Sequence, residues 1–313
     1  MGGIGIEIQP IGRSGYDALQ VVYRQQKSDF LYHSIAHANF QISYNLSRVV
    51  SSSNAGGGDQ FFSYGSWDND NPMAYMGPND LDRTHQLSFG GSFLLKYGPQ
   101  IGLIGHFYSA RPTTLSLDSG ASGAGAIFFS DVTGDGTTAD LAPGTLPGAY
   151  MRQFKGAGLN KYISNFNNSM AGQLTPAGQT VVNSGLLTRA QMVAIGGAIQ
   201  PISQVPGTAA ILNPTFRSLD MNFSYPIRLR RFREGMSLEP AVSIYNVANF
   251  ANYGTQNGSL LNVNDAGTTN AQNGYVTGNN TYAALNSSRT QRGSGTFDQG
   301  GPRSTEFQLK FNF

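Results

Sequence analysis

The chain has 313 residues, with 20 Lys and Arg against 18 Asp and Glu, and so near-neutral a balance gives no reason to expect nucleic acid as a partner. It has no cysteine, which excludes disulfides and thiolate metal centres. No apolar run is long enough for a transmembrane helix and mean hydropathy is −0.25, yet a membrane-spanning sheet stays open, because its apolar residues alternate with polar ones.

In chain order, residues 1–7 show neither a basic n-region nor a long apolar stretch, so a secretory signal is absent and the chain is read as lacking its N-terminal part. Residues 16–26 then alternate, with Leu19, Val21 and Tyr23 opposite Gln20 and Arg24, the period of a strand with one apolar face. Residues 30–46 continue the pattern, with Phe30, Tyr32, Phe40, Ile42, Tyr44 and Leu46 on one face and His33, His37, Asn39 and Gln41 on the other. Residues 83–97 set Leu87, Phe89, Phe93, Leu95 and Tyr97 against Gln86, Ser88 and Ser92, and residues 100–111 follow after Gly98-Pro99. Residues 216–228 and 236–250 alternate in the same way. The last stretch, 303–313, places Phe307, Leu309, Phe311 and Phe313 on one face and Glu306, Gln308, Lys310 and Asn312 on the other. Seven strands are predicted, many of them as long as the roughly 9–11 tilted residues that cross a bilayer.

The connections alternate between short and long. Residues 27–29, 98–99 and 229–235 are short; residues 48–81, 112–214 and 251–302 are long. Outer-membrane barrels have short periplasmic turns and long extracellular loops, and three such loops are unusual in a compact soluble domain. Within the longest, Thr175-Pro176 predicts a capped helix that Gly185 ends, and 188–195 predicts a second helix closed by Gly196-Gly197. The fold class read from these features is all-β: an antiparallel outer-membrane β-barrel segment, a partial barrel with long extracellular loops.

Several segments resemble one family. GYDALQVVYRQQ (15–26), YNLSRVVSSSN (44–54), NDLDRTHQLSFGGSFLL (79–95), SARPTTLSL (109–117), DVTGDGTTAD (131–140), LTRAQMVAIGGAIQPI (187–202) and the closing GPRSTEFQLKFNF are similar, in that order, to TonB-dependent receptor barrels of the Oar-like type. The resemblance implies a barrel of about 22 strands filled by an N-terminal plug. Residues 1–313 would then be the C-terminal portion, without plug or early strands. It further implies uptake of a substrate across the cell outer membrane, with outer-membrane lipid, the barrel-assembly machinery and, through the missing plug, the TonB system as partners. The alternative is a secreted soluble β-sandwich for adhesion or carbohydrate binding. A small closed pore or anchor barrel is a further alternative.

Candidate sites are few. No nucleophile–base pair, zinc spacing or phosphate loop is present, so no catalytic residue and no cofactor is assigned, and the protein is not expected to be an enzyme. Tyr64, Trp67 and Tyr75 are candidate stacking groups for a ligand. Asp131, Thr133, Asp135 and Gly136 follow the opening of a calcium loop, but the twelfth position is Ala142 and Asp140 falls out of step. The stretch is therefore read as an Asp/Gly turn, with Asp131 and Asp135 as the ligands a calcium site would use. His33 and His37 lie too far apart along a strand, roughly 13 Å, to share a metal. Arg228, Arg230, Arg231 and Arg233 are expected at a turn, facing water or phosphate headgroups. Tyr32, Tyr44, Phe89, Tyr97, Tyr225 and Phe250 suit the aromatic girdles of a membrane barrel.

Overall fold

The computed structural model describes residues 12–31, 33–52, 67–79, 81–117, 125–137, 140–155, 157–202, 204, 215–229, 231, 234–253, 260, 269–270, 275–276 and 300–313. Seven long strands form one antiparallel sheet in chain order: β1 (Ser14–Phe30), β2 (Ile35–Ser51), β3 (His85–Leu95), β4 (Gln100–Tyr108), β5 (Phe216–Ser224), β6 (Ser237–Tyr245) and β7 (Ser304–Asn312). Each neighbours its predecessor, so the sheet is an up-and-down meander. It is not closed into a barrel: β1 and β7 stand at its two edges. Short pieces at Gly77–Pro78 and Ile227–Arg228 extend it against β2 and β6. A small ribbon pairs Thr269–Asn270 with Tyr275–Val276. Among the described residues no second large sheet faces this one, so the packed sandwich weighed above is not the architecture seen.

An antiparallel meander sends alternate connections to opposite ends. The short connections, 31–34, 96–99 and 225–236, lie at one end, and the long ones, 52–84, 109–215 and 246–303, at the other. The first turn departs from expectation. Lys27, Ser28 and Asp29, read as the turn, belong to β1, where Lys27 pairs with Ala38 and Ser28 with His37. The reversal falls at 31–34, where Leu31 and His33 have positive φ and Ser34 N–H bonds to the Leu31 carbonyl. Backbone pairing along a long hairpin outweighs the turn preference of three polar side chains. His33 therefore sits in the turn, hydrogen-bonded to Asp29, and only His37 faces the strand's polar side.

The registers align the apolar rows across the whole sheet. Leu19 pairs with Leu46, Ile42 with Phe89, Leu87 with Phe107, Leu103 with Met221, Phe223 with Val242, and Leu309 with Pro240. One face is thus apolar on all seven strands. A one-residue slip would turn a whole row over. A glycine lets this face pack closely. At Gly105 an added Cβ would meet the Phe89 ring at 2.3 Å, because that ring lies over the bare backbone and against Phe107, their centroids 6.1 Å apart.

The protein's buried core lies elsewhere. Of the buried apolar side chains among the described residues, only Ala38 belongs to a long strand. Leu115, Leu117, Ala142, Tyr150, Leu159, Ile163, Phe166, Ile199 and Ile202 cluster within the second long connection, joined by Leu260 from the third. Five helices decorate this module: α1 (Ile127–Ser130), α2 (Ala149–Arg152), α3 (Ala157–Ser169), α4 (Pro176–Asn183) and α5 (Arg189–Ala194). α4 and α5 fall where the sequence predicts them. Thr175 Oγ1 accepts from Gly178 N–H, and Thr188 with Gln191 forms a capping box, each satisfying helix-end donors.

Candidate functional site

Three surfaces have chemical character: the apolar face of the sheet, its polar face, and the module at the long-connection end. On the first, the C-terminal row singled out in the sequence stands open. Phe307 is 78% exposed, Leu309 69% and Phe313 88%, and Phe311 stacks on Phe313 with centroids 5.9 Å apart. Tyr97 and Tyr225 are also exposed, at the short-turn end of the same face, while Phe250 makes an edge contact with Phe107 near the opposite end. Of the expected girdle residues, Tyr32 lies outside the described residues. A row of bare aromatics and leucines in water costs roughly 25 cal/mol per Å² relative to burial, and this one runs across seven strands. The physical requirement is a covering apolar phase or partner.

The polar face carries hydrogen-bonded side chains. Asn222 Nδ2 donates to Ser243 Oγ at 2.9 Å, Ser224 Oγ to Glu239 Oε1 at 2.9 Å and Asn246 N–H to Asp220 Oδ1 at 2.7 Å. Ser88, His106 and Tyr108 form a small triangle with contacts of 2.9–3.1 Å. Gly90 and Gly102 carry no side chain, and the sheet there holds a shallow depression of about 490 Å³ bordered by Asn39, Gln41, Asp220, Asn222 and Tyr245. Its border sets amide, hydroxyl and carboxylate groups around the exposed Ile104 side chain, and most of the surface it offers is apolar. No nucleophile–base arrangement occurs along its border.

The module is fastened to the rim of the sheet by a buried ion pair. Arg152 Nε donates to Asp82 Oδ2 at 2.7 Å, and its Nη2 reaches the carbonyls of Asp82 and Ala110. Asp82 Oδ1 in turn accepts from Val49 N–H on β2. Arg83 beside it has its pKa lowered to about 10, by burial first and then by Arg111. The first long connection leans on the module as well, since Asn69 N–H donates to Asp135 Oδ2 at 2.7 Å.

Asp131 and Asp135 come together with a third residue, Asp140; one carboxylate oxygen of each lies within 4.8 Å of the others. Backbone pairing brings Asp140 in, because Leu117 N–H bonds to its carbonyl and Ala142 N–H to that of Leu115. Asp131 and Asp140 are both 1% exposed. Burial pushes the Asp140 carboxyl up to about 6, with Asp131 and Asp135 adding repulsion. Burial also acts upward on Asp135, but hydrogen bonds from Asn69 and Thr137 outweigh it and hold that carboxyl below its usual range.

The candidate ligand aromatics are less organised. Tyr64 lies outside the described residues. Trp67 and Tyr75 are half-buried, and no ring contact joins them. Trp67 Nε1 is buried without a hydrogen-bond partner. Of the expected arginine cluster, Arg228 pairs within the sheet and Arg231 lies in the turn, whereas Arg230 and Arg233 are outside the described residues. Comparison of the chain with protein-family models, with curated proteins and with solved structures finds no match.

Proposed function

We propose that the chain is the C-terminal barrel portion of an outer-membrane, TonB-dependent receptor-like transporter, serving uptake of a substrate across that membrane. One observation carries the reading: an antiparallel meander whose apolar rows align on a single face that, among the described residues, no protein layer covers. Lipid is a medium that stabilises such a face, and closure with further strands removes the two edges a membrane cannot tolerate. The long connections gathered at one end and the short turns at the other support the orientation, with the module on the outside. The polar face then lines the lumen, where the depression near Asp220 and Asn222 meets the solute. The order of the segments similar to the Oar-like type supports the family assignment, and the plug and TonB contact would come from outside residues 1–313.

Membrane fractionation in the native cells tests this. The chain is expected in the outer-membrane band of a density gradient, resistant to carbonate and urea extraction and released by detergent. Recovery as a monodisperse protein in detergent-free buffer would overturn the reading and favour a partner protein as the cover of the apolar face.

A further inference from the structure

We propose that Asp131, Asp135 and Asp140 are the carboxylate ligands of a calcium site. The proposal does not rest on the membrane reading, because the loop belongs to the module and not to the sheet. Three acidic groups converge within 4.8 Å of one another, and two of them are buried. Among the described residues the ion pair that Lys or Arg makes is Arg152–Asp82, so no Lys or Arg balances the cluster. A buried carboxylate without a counter-charge is costly, and proteins pair it or bind a metal with it.

The hydrogen bonds in the loop shape it but leave one oxygen unanswered. Gly134 N–H donates to Asp131 Oδ1 and Gly136 N–H to its Oδ2, while Thr137 N–H and Oγ1 donate to Asp135 Oδ1. Asp135 Oδ1 has both lone pairs engaged, but Asp131 Oδ2, which accepts from Gly136 N–H, and Asp135 Oδ2, which accepts from Asn69 N–H, each keep one. Asp140 Oδ2 accepts from Val132 N–H, Thr133 N–H and Thr133 Oγ1. Asp140 Oδ1 is buried and has no partner at all. A cation would answer it.

The donor set selects the ion. All three groups are hard oxygens, with no imidazole or thiolate beside them, which disfavours transition metals. Asp131, Thr133 and Asp135 take alternate positions, and Gly136, with φ +82°, makes the sharp turn at the sixth, the spacing of a calcium loop. Asp140 takes the place of the acidic group that the usual pattern puts at position twelve. It reaches the cluster through the pairing of 140–142 with 115–117 rather than by counting along the loop.

The test is isothermal titration of the full chain in detergent micelles, stripped with chelator, with calcium and then magnesium chloride. One calcium per chain is expected with a Kd of roughly 10⁻⁵–10⁻³ M, and magnesium at least tenfold weaker. Asp140→Asn keeps an oxygen for the three donors and places an amide where Oδ1 stood. It should lower calcium affinity at least tenfold, yet melt no earlier than the parent without calcium. Asp131→Asn should also weaken binding, and Asp70→Asn, on the exposed surface, should not. If Asp140→Asn does not fold, Asp135→Asn, at a half-exposed position, reports instead. No heat with calcium up to about 10 mM, an equal response to magnesium, or unchanged affinity in the folded aspartate variants would each overturn the proposal.

Discussion

Among the described residues the seven strands bury a single apolar side chain, Ala38, whereas the module at their rim buries a cluster from Leu115 to Ile202. The two regions are stabilised by different means. The module has the build of a layer packed on its own interior: α4 and α5 are capped by side chains and the apolar residues cluster. The sheet has the backbone pairing of a stable structure and the side-chain pattern of a layer, but its apolar side faces outward. The contrast teaches that apolar content alone does not locate a core. Strand residues as apolar as Leu19, Phe223 and Leu309 stand open, while a polar-looking loop closes around Tyr150 and Ile163.

The joint between the regions should yield the largest effect. Arg152→Met leaves Asp82 buried and unpaired, which costs about 3–5 kcal/mol. Hydrogen exchange should show Leu117 and Ala142 amides losing protection by roughly two orders of magnitude or more, while the β3 and β4 amides hold. Equal losses in both regions would mean that they fold as one unit. Next, Leu309→Arg tests what the apolar face meets. In lipid vesicles it should cost about 2–4 kcal/mol in chemical unfolding, against nearly nothing for Gln308→Arg on the opposite face. Equal costs would break the distinction between the faces. The smallest change is Thr188→Ala, which removes one half of the capping box and should cost about 1 kcal/mol, read as faster exchange at Met192 with or without lipid.

Much of the sheet is legible in the sequence, because a period of two is a local signal and survives strand by strand, from Leu19 to Phe311. Gly98-Pro99 marks its turn for the same reason. The first hairpin turn is misread because Lys27-Ser28-Asp29 has turn chemistry, and only pairing with Ala38 and His37 reveals a strand. The capped helices α4 and α5 are legible from Thr175-Pro176 and from Thr188 with Gln191. α3 is not, since Asn and Ser fill its exposed face and hide the spacing of Leu159, Ile163 and Phe166. The acid cluster is half legible: Asp131 and Asp135 follow a linear rule, but Asp140 arrives through contacts 23 residues back, at Leu117, which no window along the chain contains. Proximity of Arg152 to Asp82 is of the same kind.

The outer edge of β1 has a kinetic consequence. It is 17 residues long, and in an antiparallel edge about every second residue turns its N–H and C=O outward. Such an edge is a template for any strand that reaches it, while the row of Leu19, Val21 and Tyr23 favours the partner and register that continue it. A newly made chain is exposed to mispairing until that neighbour docks, so dilution or a chaperone that shields β1 should raise the yield of folded material.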